Sequence, residues 1–218
     1  MSSQAREIIL SSIRKSLSES EVPIPFPEAE KKTDFFAKDD LTAEEKFAEA
    51  FTALGGKFVY CADEHELIVQ LQALADTMGW QQIQSKDSFL LQLFADKNID
   101  LLQDAGDMHH IEIGLSMCEC LVARTGSVIL SAAQESGRSL PVYAPIHIAV
   151  AFSNQVVWDI ADGIQLMHDK YEGKLPSMMS LTTGPSRPAD IEKTLVVGVH
   201  GPKEVYVFLV DSDWKKSE

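Results

Sequence analysis

The chain has 218 residues, 45% hydrophobic and 24% charged, which is enough apolar material for one buried core with an appendage. Nineteen Lys and Arg stand against 33 Asp and Glu, a formal charge of −14 that repels a polyphosphate backbone and an anionic bilayer, so no nucleic-acid or membrane-surface role is expected. Arg6, Glu7, Arg14 and Lys15 interrupt the apolar residues of the amino end and no apolar run approaches the ~20 residues of a membrane helix, so neither a signal segment nor membrane insertion is expected and the expected location is cytoplasmic.

Ser2 or Ser3 can cap a helix in which Ile9, Leu10, Ile13 and Leu17 recur at helical spacing. Its apolar stripe is narrow and must dock on something. Pro23, Pro25 and Pro27 then alternate with apolar residues, which forbids helix, and a charged run continues to Asp40. Residues 1–40 read as an arm that packs on its own subunit or on a neighbour in a homo-oligomer, with a disordered tail as the alternative. Residues 41–218 read as one α/β domain.

Thr42-Ala43-Glu44-Glu45 fits a capping box and opens a helix that carries Phe47, Ala50, Phe51 and Leu54 on one side until Gly55-Gly56 ends it. Lys57 to Cys61 reads as a buried strand, and Asp63 caps a helix with Leu67, Ile68, Leu71, Leu74 and Met78. Gln81 to Gln84 is a further strand and Ser85 to Ala95 a further helix. The alternation predicts crossover units and a mostly parallel open sheet with helices on both faces.

Glu119 to Ala123 and Ser127 to Ser131 are apolar runs separated by Arg124-Thr125-Gly126, either a hairpin or one strand kinked at Gly126. Ala132 to Ser139 is polar and reads as an exposed loop. Pro145 to Phe152 is a strand, Ile160 to Tyr171 a helix, Ser177 to Thr182 a strand, and Val205 to Val210 the strand that closes the sheet. Three cysteines, an odd number, point to free thiols. Cys118 and Cys120 form C-x-C without a second ligand pair, and on an alternating strand they would share one buried face. The chain has no H-E-x-x-H or C-x-x-C and no carboxylate-rich loop, so no tightly bound metal is expected. It also lacks the G-x-S-x-G elbow, the P-loop and the dinucleotide fingerprint.

Chemistry concentrates in polar turns. Gly184-Pro185-Ser186-Arg187-Pro188 makes a stiff turn before Ala189-Asp190-Ile191-Glu192, which reads as the first turn of a helix. Unpaired amide N–H groups there stabilise an anion, with Ser186 and Arg187 as added donors; equally, the pattern is an ordinary helix start with a Ser cap and acids set against the dipole. Two other turns, Thr125-Gly126-Ser127 and His200-Gly201-Pro202, are its expected companions. If the three meet, Thr125, Ser127 and Ser186 supply hydroxyls, Gly126, Gly184 and Asp190 complete the walls, and Arg138 and Arg187 neutralise an anion. His200 then offers a ring titrating near neutrality as general acid or base. His147, inside an apolar segment, is either a buried neutral imidazole or a ligand contact. His109 and His110 are adjacent and face apart.

The run GPSRPADIE, followed by LVVGVHGP and VYVFLVD, resembles the carboxyl-terminal signature of the LUD domain of the lactate utilization protein C family. ARTGSVIL (123–130), GRSLP (137–141) and PIHIAV (145–150) are similar to its middle blocks, and REIILSSIRKSL to its opening helix. Arg124 stands where the family often has an acid, and Pro188 where it often has Thr. The resemblance implies the NagB/RpiA/CoA transferase-like fold of sugar-phosphate isomerases and CoA transferases, a mostly parallel sheet flanked by helices. It also implies a subunit of a system oxidising lactate to pyruvate, in which iron–sulfur and cysteine-rich partner subunits carry the clusters and this chain binds a small anionic ligand with no tightly held cofactor. The alternative is a free-standing enzyme acting on a phosphorylated or CoA-linked metabolite; for acyl transfer, Glu119 and Glu135 are the carboxylates nearest the Thr-Gly turn.

Overall fold

The computed structural model describes residues 3–19, 40–106, 111–186 and 201–214, and the chain divides into two units, residues 1–40 and 41–218. In the first, the helix α1 (Ser3–Glu19) holds the expected stripe, with Ile9, Ile13 and Leu17 exposed. The proline-alternating tether lies outside the described residues.

The second unit begins as its local signals predict. Thr42 caps α2 (Ala43–Ala53) through a reciprocal box: Glu45 N–H donates to Thr42 Oγ1 at 3.2 Å and Thr42 N–H to Glu45 Oε2 at 2.9 Å. After β1 (Lys57–Cys61), Asp63 Oδ1 accepts from Glu66 N–H at 2.8 Å to start α3 (Glu64–Met78), which Gly79 ends at φ 71°. Ser85 belongs to β2 (Ile83–Ser85), so α4 (Ser88–Ala95) starts three residues later than expected. The chain continues through β3 (Leu102–Asp104), β4 (Ile113–Met117), β5 (Cys120–Val122), β6 (Ser127–Ser131), α5 (Leu140–Tyr143), β7 (Ile146–Phe152), β8 (Val156–Val157), α6 (Ile160–Lys170), β9 (Met179–Thr182) and β10 (Glu204–Val210).

Six strands form a wholly parallel sheet in the order β1-β10-β7-β4-β2-β3, and four form a second sheet, β8-β5-β6-β9. The two apolar runs around Gly126 are thus a hairpin, with Cys120 opposite Ile129 and Val122 opposite Ser127. The strand Val205 to Val210 does not close an edge. It runs inside the sheet between β1 and β7, and its residues from Val205 to Val210 are all buried.

Alternation on the central strands sorts the core. Ile148, Val150 and Phe152 with Tyr206, Phe208 and Val210 face α3 and α4, against Leu67, Leu71, Leu90 and Phe94. Ala149, Ala151, Val205, Val207 and Leu209 face the other way, onto Phe47 and Phe51 of α2 and Leu121, Val128 and Leu130 of the second sheet. Each such Leu or Phe, fully removed from water, stabilises the fold by about 2–3 kcal/mol. The outer face of the second sheet is covered by α6, where Gly163 lets the helix close on Ile129, Cys120 and Val122.

Several expectations are corrected. The strands β3 and β4 and the short helix α5 are absent from the sequence reading; in β4, Gly114 and Ser116 interrupt the apolar pattern although all five residues are buried. A Cβ on Gly114 would come 3.0 Å from Ala144 Cβ and 3.1 Å from Leu140 Cγ, so glycine lets the α5 segment pack closely on β4. Ala132 to Ser139 is not simply an exposed loop, since Ser136 is buried. Cys118 and Cys120 do not share a face: the chain breaks between β4 and β5, sending Cys118 into the core beneath α2 and Cys120 beneath α6. No described helix is long and apolar enough to cross a membrane.

Candidate functional site

In the parallel sheet the winding reverses between β2, which leads outward to β3, and β4, which leads the other way to β7 and β10. The carboxyl ends of two such strands ordinarily flank a ligand crevice. Here the chain fills it. Asp87 Oδ2 accepts Met117 N–H at 3.1 Å and the Ser136 hydroxyl, and Gln134 Nε2 donates to Met117 O at 2.9 Å. Glu135 takes the hydroxyl of Ser88 at 2.9 Å and its amide, capping α4 in place of Asp87. Burial raises the Asp87 carboxyl above the usual range, against the Ser136 and Met117 hydrogen bonds. Further along the same edge Trp214 packs edge-on to Phe89 at 4.6 Å and is bracketed by the side chain of Asn154.

An open cavity of about 160 Å³ lies instead beside the amino end of β10. Its walls come from β9 (Ser180, Thr182), the turn Gly184 to Ser186, Gly201-Pro202, and the segment Gly137-Arg138 with Pro141 and Val142; Leu130 and Met178 complete it. Gly137, Gly184 and Gly201 take positive φ values of 59°, 78° and 139° there, conformations that side chains disfavour. Ser186 N–H donates to Pro202 O at 2.9 Å and Lys203 N–H to Pro145 O at 2.7 Å, which ties the two turns to each other and to the start of β7.

The sequence-derived residues fall into three groups. Arg138, Gly184 and Ser186 meet on the cavity wall. Thr125, Gly126 and Ser127 stand behind it: Thr125 Oγ1 lies 2.8 Å from Ser127 Oγ, which lies 2.8 Å from Thr183 Oγ1, one residue before Gly184. Gly126 faces α2. His147 is 1% exposed in the sheet, its Nε2 2.9 Å from Ser116 Oγ and not from a backbone group, and burial lowers its pKa to about 4, so the ring is neutral at physiological pH. Arg187, Asp190 and His200 lie outside the described residues, as do Pro188, His109 and His110. Pro141, Val142, Met178, Ser180 and Thr182 were missed. Alternation in Met179-Ser-Leu-Thr182 carries a signal for two of them, because exposed Met179 and Leu181 leave Ser180 and Thr182 on the other side.

The two described arginines of this region differ. Arg124 is engaged by Asp159 in a two-point pair, Nε to Oδ2 at 2.7 Å and Nη2 to Oδ1 at 2.8 Å. Arg138, exposed at the cavity mouth, donates from Nη2 to Ser177 Oγ at 2.6 Å and has no carboxylate partner among the described residues. Neither candidate acyl-transfer carboxylate is placed to attack a substrate. Glu119 is buried with Oε1 held by Ser131 Oγ at 2.5 Å and Tyr171 OH at 2.7 Å and Oε2 by Lys170 Nζ at 2.6 Å, and Glu135 is occupied by Ser88. Among the described residues no group of three or more His, Cys, Asp or Glu is arranged to hold a metal ion.

The architecture is that of an α/β protein with an open parallel sheet, helices on its faces and a cavity bordered by a second, antiparallel-rich sheet. Residues 4–210 match the LUD domain, and the chain belongs to that family. It is 34% identical over 118 residues to lactate utilization protein C of Geobacillus kaustophilus (strain HTA426), covering 53% of this chain and 47% of that protein. To lactate utilization protein C of Bacillus subtilis (strain 168) it is 31% identical over 120 residues, 54% of this chain and 49% of that protein. The chain thus matches these curated relatives over about half of their length. A crystal structure of a DUF162 family protein from Deinococcus radiodurans superposes with a TM-score of 0.56 at 17% identity, covering 78% of this chain and 99% of that one, a likeness of fold.

Proposed function

We propose that this protein is a subunit of a lactate-utilization system, working beside partner subunits that carry the electron-transfer centres, and that the cavity at Arg138 binds a small anion. The observation that carries the anion reading is Arg138 itself. In a chain of net charge −14, a guanidinium at a cavity mouth without a carboxylate partner among the described residues is a place where an incoming anion gains a charge-assisted contact. Hydroxyls of Ser180, Thr182 and Ser186 and the close-approaching backbone of Gly184 and Gly201 add donors. The subunit reading draws on the relatives named lactate utilization protein C. The placement of redox centres on partners draws on the cysteines: Cys61, Cys118 and Cys120 are buried in three different parts of the core, and burial pushes Cys61 and Cys120 up to about 12, so none is offered as a thiolate ligand.

Two measurements test this. Affinity purification of the chain from cells growing on lactate should bring down iron–sulfur subunits. Calorimetric titration of the isolated chain with small anions should show binding that Arg138→Ala weakens by about 1–3 kcal/mol. Turnover of a phosphorylated or CoA-linked metabolite by the isolated chain would replace the subunit reading with that of a free-standing enzyme.

A further inference from the structure

The lining of the Arg138 cavity says more than that its ligand is an anion. Among the described residues its polar groups are one guanidinium, three hydroxyls and glycine backbone, and the rest of the described lining is Leu130, Pro141, Val142, Met178 and Pro202. A phosphate dianion presents acceptors in every direction, and apolar walls would strip its water without replacing the lost hydrogen bonds. A carboxylate is satisfied on one side, by the two-pronged fork of a single arginine, and leaves the rest of its molecule free to be apolar. Size points the same way. About 160 Å³ is close to the volume of a cavity that accepts a six-carbon ring, so the part of the occupant that enters has roughly six to eight non-hydrogen atoms.

Resting on the reading of this cavity as the anion site, we infer that its ligand is a monocarboxylate with a short aliphatic chain, about four to six carbons in all. The carboxylate meets Arg138 at the mouth, and the chain lies against Leu130, Pro141, Val142 and Met178.

The test is calorimetry on the full chain with the sodium salts of acetate, propanoate, butanoate, pentanoate, hexanoate and octanoate at matched ionic strength, and inorganic phosphate as a separate arm. Affinity should rise about fourfold per methylene while the chain is still entering the cavity, peak between butanoate and hexanoate, and fall at octanoate. Phosphate should bind at least tenfold more weakly than the best acid. Arg138→Ala should weaken the whole series. Val142→Trp, at a position 48% exposed and so tolerant of a larger side chain, should weaken pentanoate and hexanoate more than acetate. Phosphate binding tighter than every acid, or an affinity flat with chain length, overturns the aliphatic inference but leaves the small-anion reading standing if Arg138→Ala still weakens binding. A folded protein that binds no arm overturns both, and a folded Val142→Trp variant with unchanged hexanoate affinity overturns the placement of the chain.

Discussion

Lys170 Nζ sits 2.6 Å from Oε2 of Glu119, whose side chain is wholly shielded from solvent while that of Lys170 remains 35% exposed. The pair fastens the end of α6 to the junction between the two sheets, and Tyr171 OH and Ser131 Oγ hold the other carboxylate oxygen. Removing the cation leaves a buried charge with two neutral donors. Breaking a buried pair from one side costs about 3–5 kcal/mol, and the partial exposure of Lys170 puts this case at the low end. Lys170→Met should therefore lower stability in urea by about 3 kcal/mol, and Glu119→Gln added to it should restore much of the loss. A single variant as stable as the parent would show that Glu119 does not depend on Lys170.

Gly126 is the glycine of the Thr-Gly turn, and its place in the structure explains it without a ligand. Its φ is 61°, and a Cβ there would come 2.5 Å from Phe51 N and 2.7 Å from Ala50 C, backbone atoms of α2 that cannot step aside. Gly126→Ala combines left-handed strain with a helix displaced from the Phe47 and Phe51 core, so a loss above about 3 kcal/mol is expected. Thermal melting of the purified variant checks it; a melting temperature within a degree or two of the parent would mean that α2 is free to move.

This glycine also shows where sequence reading stops. The helix starts at Thr42 and Asp63 were legible because a cap is settled within four residues. The parallel sheet was legible from alternating strands and helices. Nothing local announces that β10 inserts between β1 and β7, or that Ile-Gly-Leu-Ser-Met is an interior strand whose glycine serves the α5 segment. At the site, Arg138, Gly184 and Ser186 were visible as polar, turn-forming residues. Their meeting depends on pairs far apart in the chain, Ser127 with Thr183 and Ser186 with Pro202, and the apolar half of the cavity is made of residues that read as ordinary filler.

Arg124, which departs from the family pattern, has a structural use. Its fork grips Asp159, the residue that caps α6, and this hydrogen bond more than any other influence holds the Asp159 carboxyl below its usual range. A carboxyl depressed in the folded state contributes stability that is fully present above the unfolded value of about 3.9 and is lost as pH falls through the folded value. Arg124→Ala should cost about 1 kcal/mol at pH 7, and the gap to the parent should close below about pH 4. Urea midpoints at pH 3, 4, 5 and 7 measure it; a gap that stays constant down to pH 3 would mean that the pair's charge is immaterial.

His147 supplies a second pH dependence, of different origin and in a different range. Burial alone lowers its pKa to about 4, against about 6.5 in the unfolded chain. Above pH 6.5 both states are neutral and the contribution is complete. As pH falls from 6.5 to 4 the unfolded state takes up the proton first, so stability declines by roughly 3 kcal/mol, and below about pH 4 both states are protonated and the decline stops. Other carboxyls titrate over part of this span, so the informative quantity is the difference between the parent and His147→Gln, which keeps a group able to hydrogen-bond Ser116. That difference should shift steadily against the parent between pH 6.5 and 4. Parallel stability curves for the two proteins would show that the imidazole reaches solvent and is not sealed within the sheet.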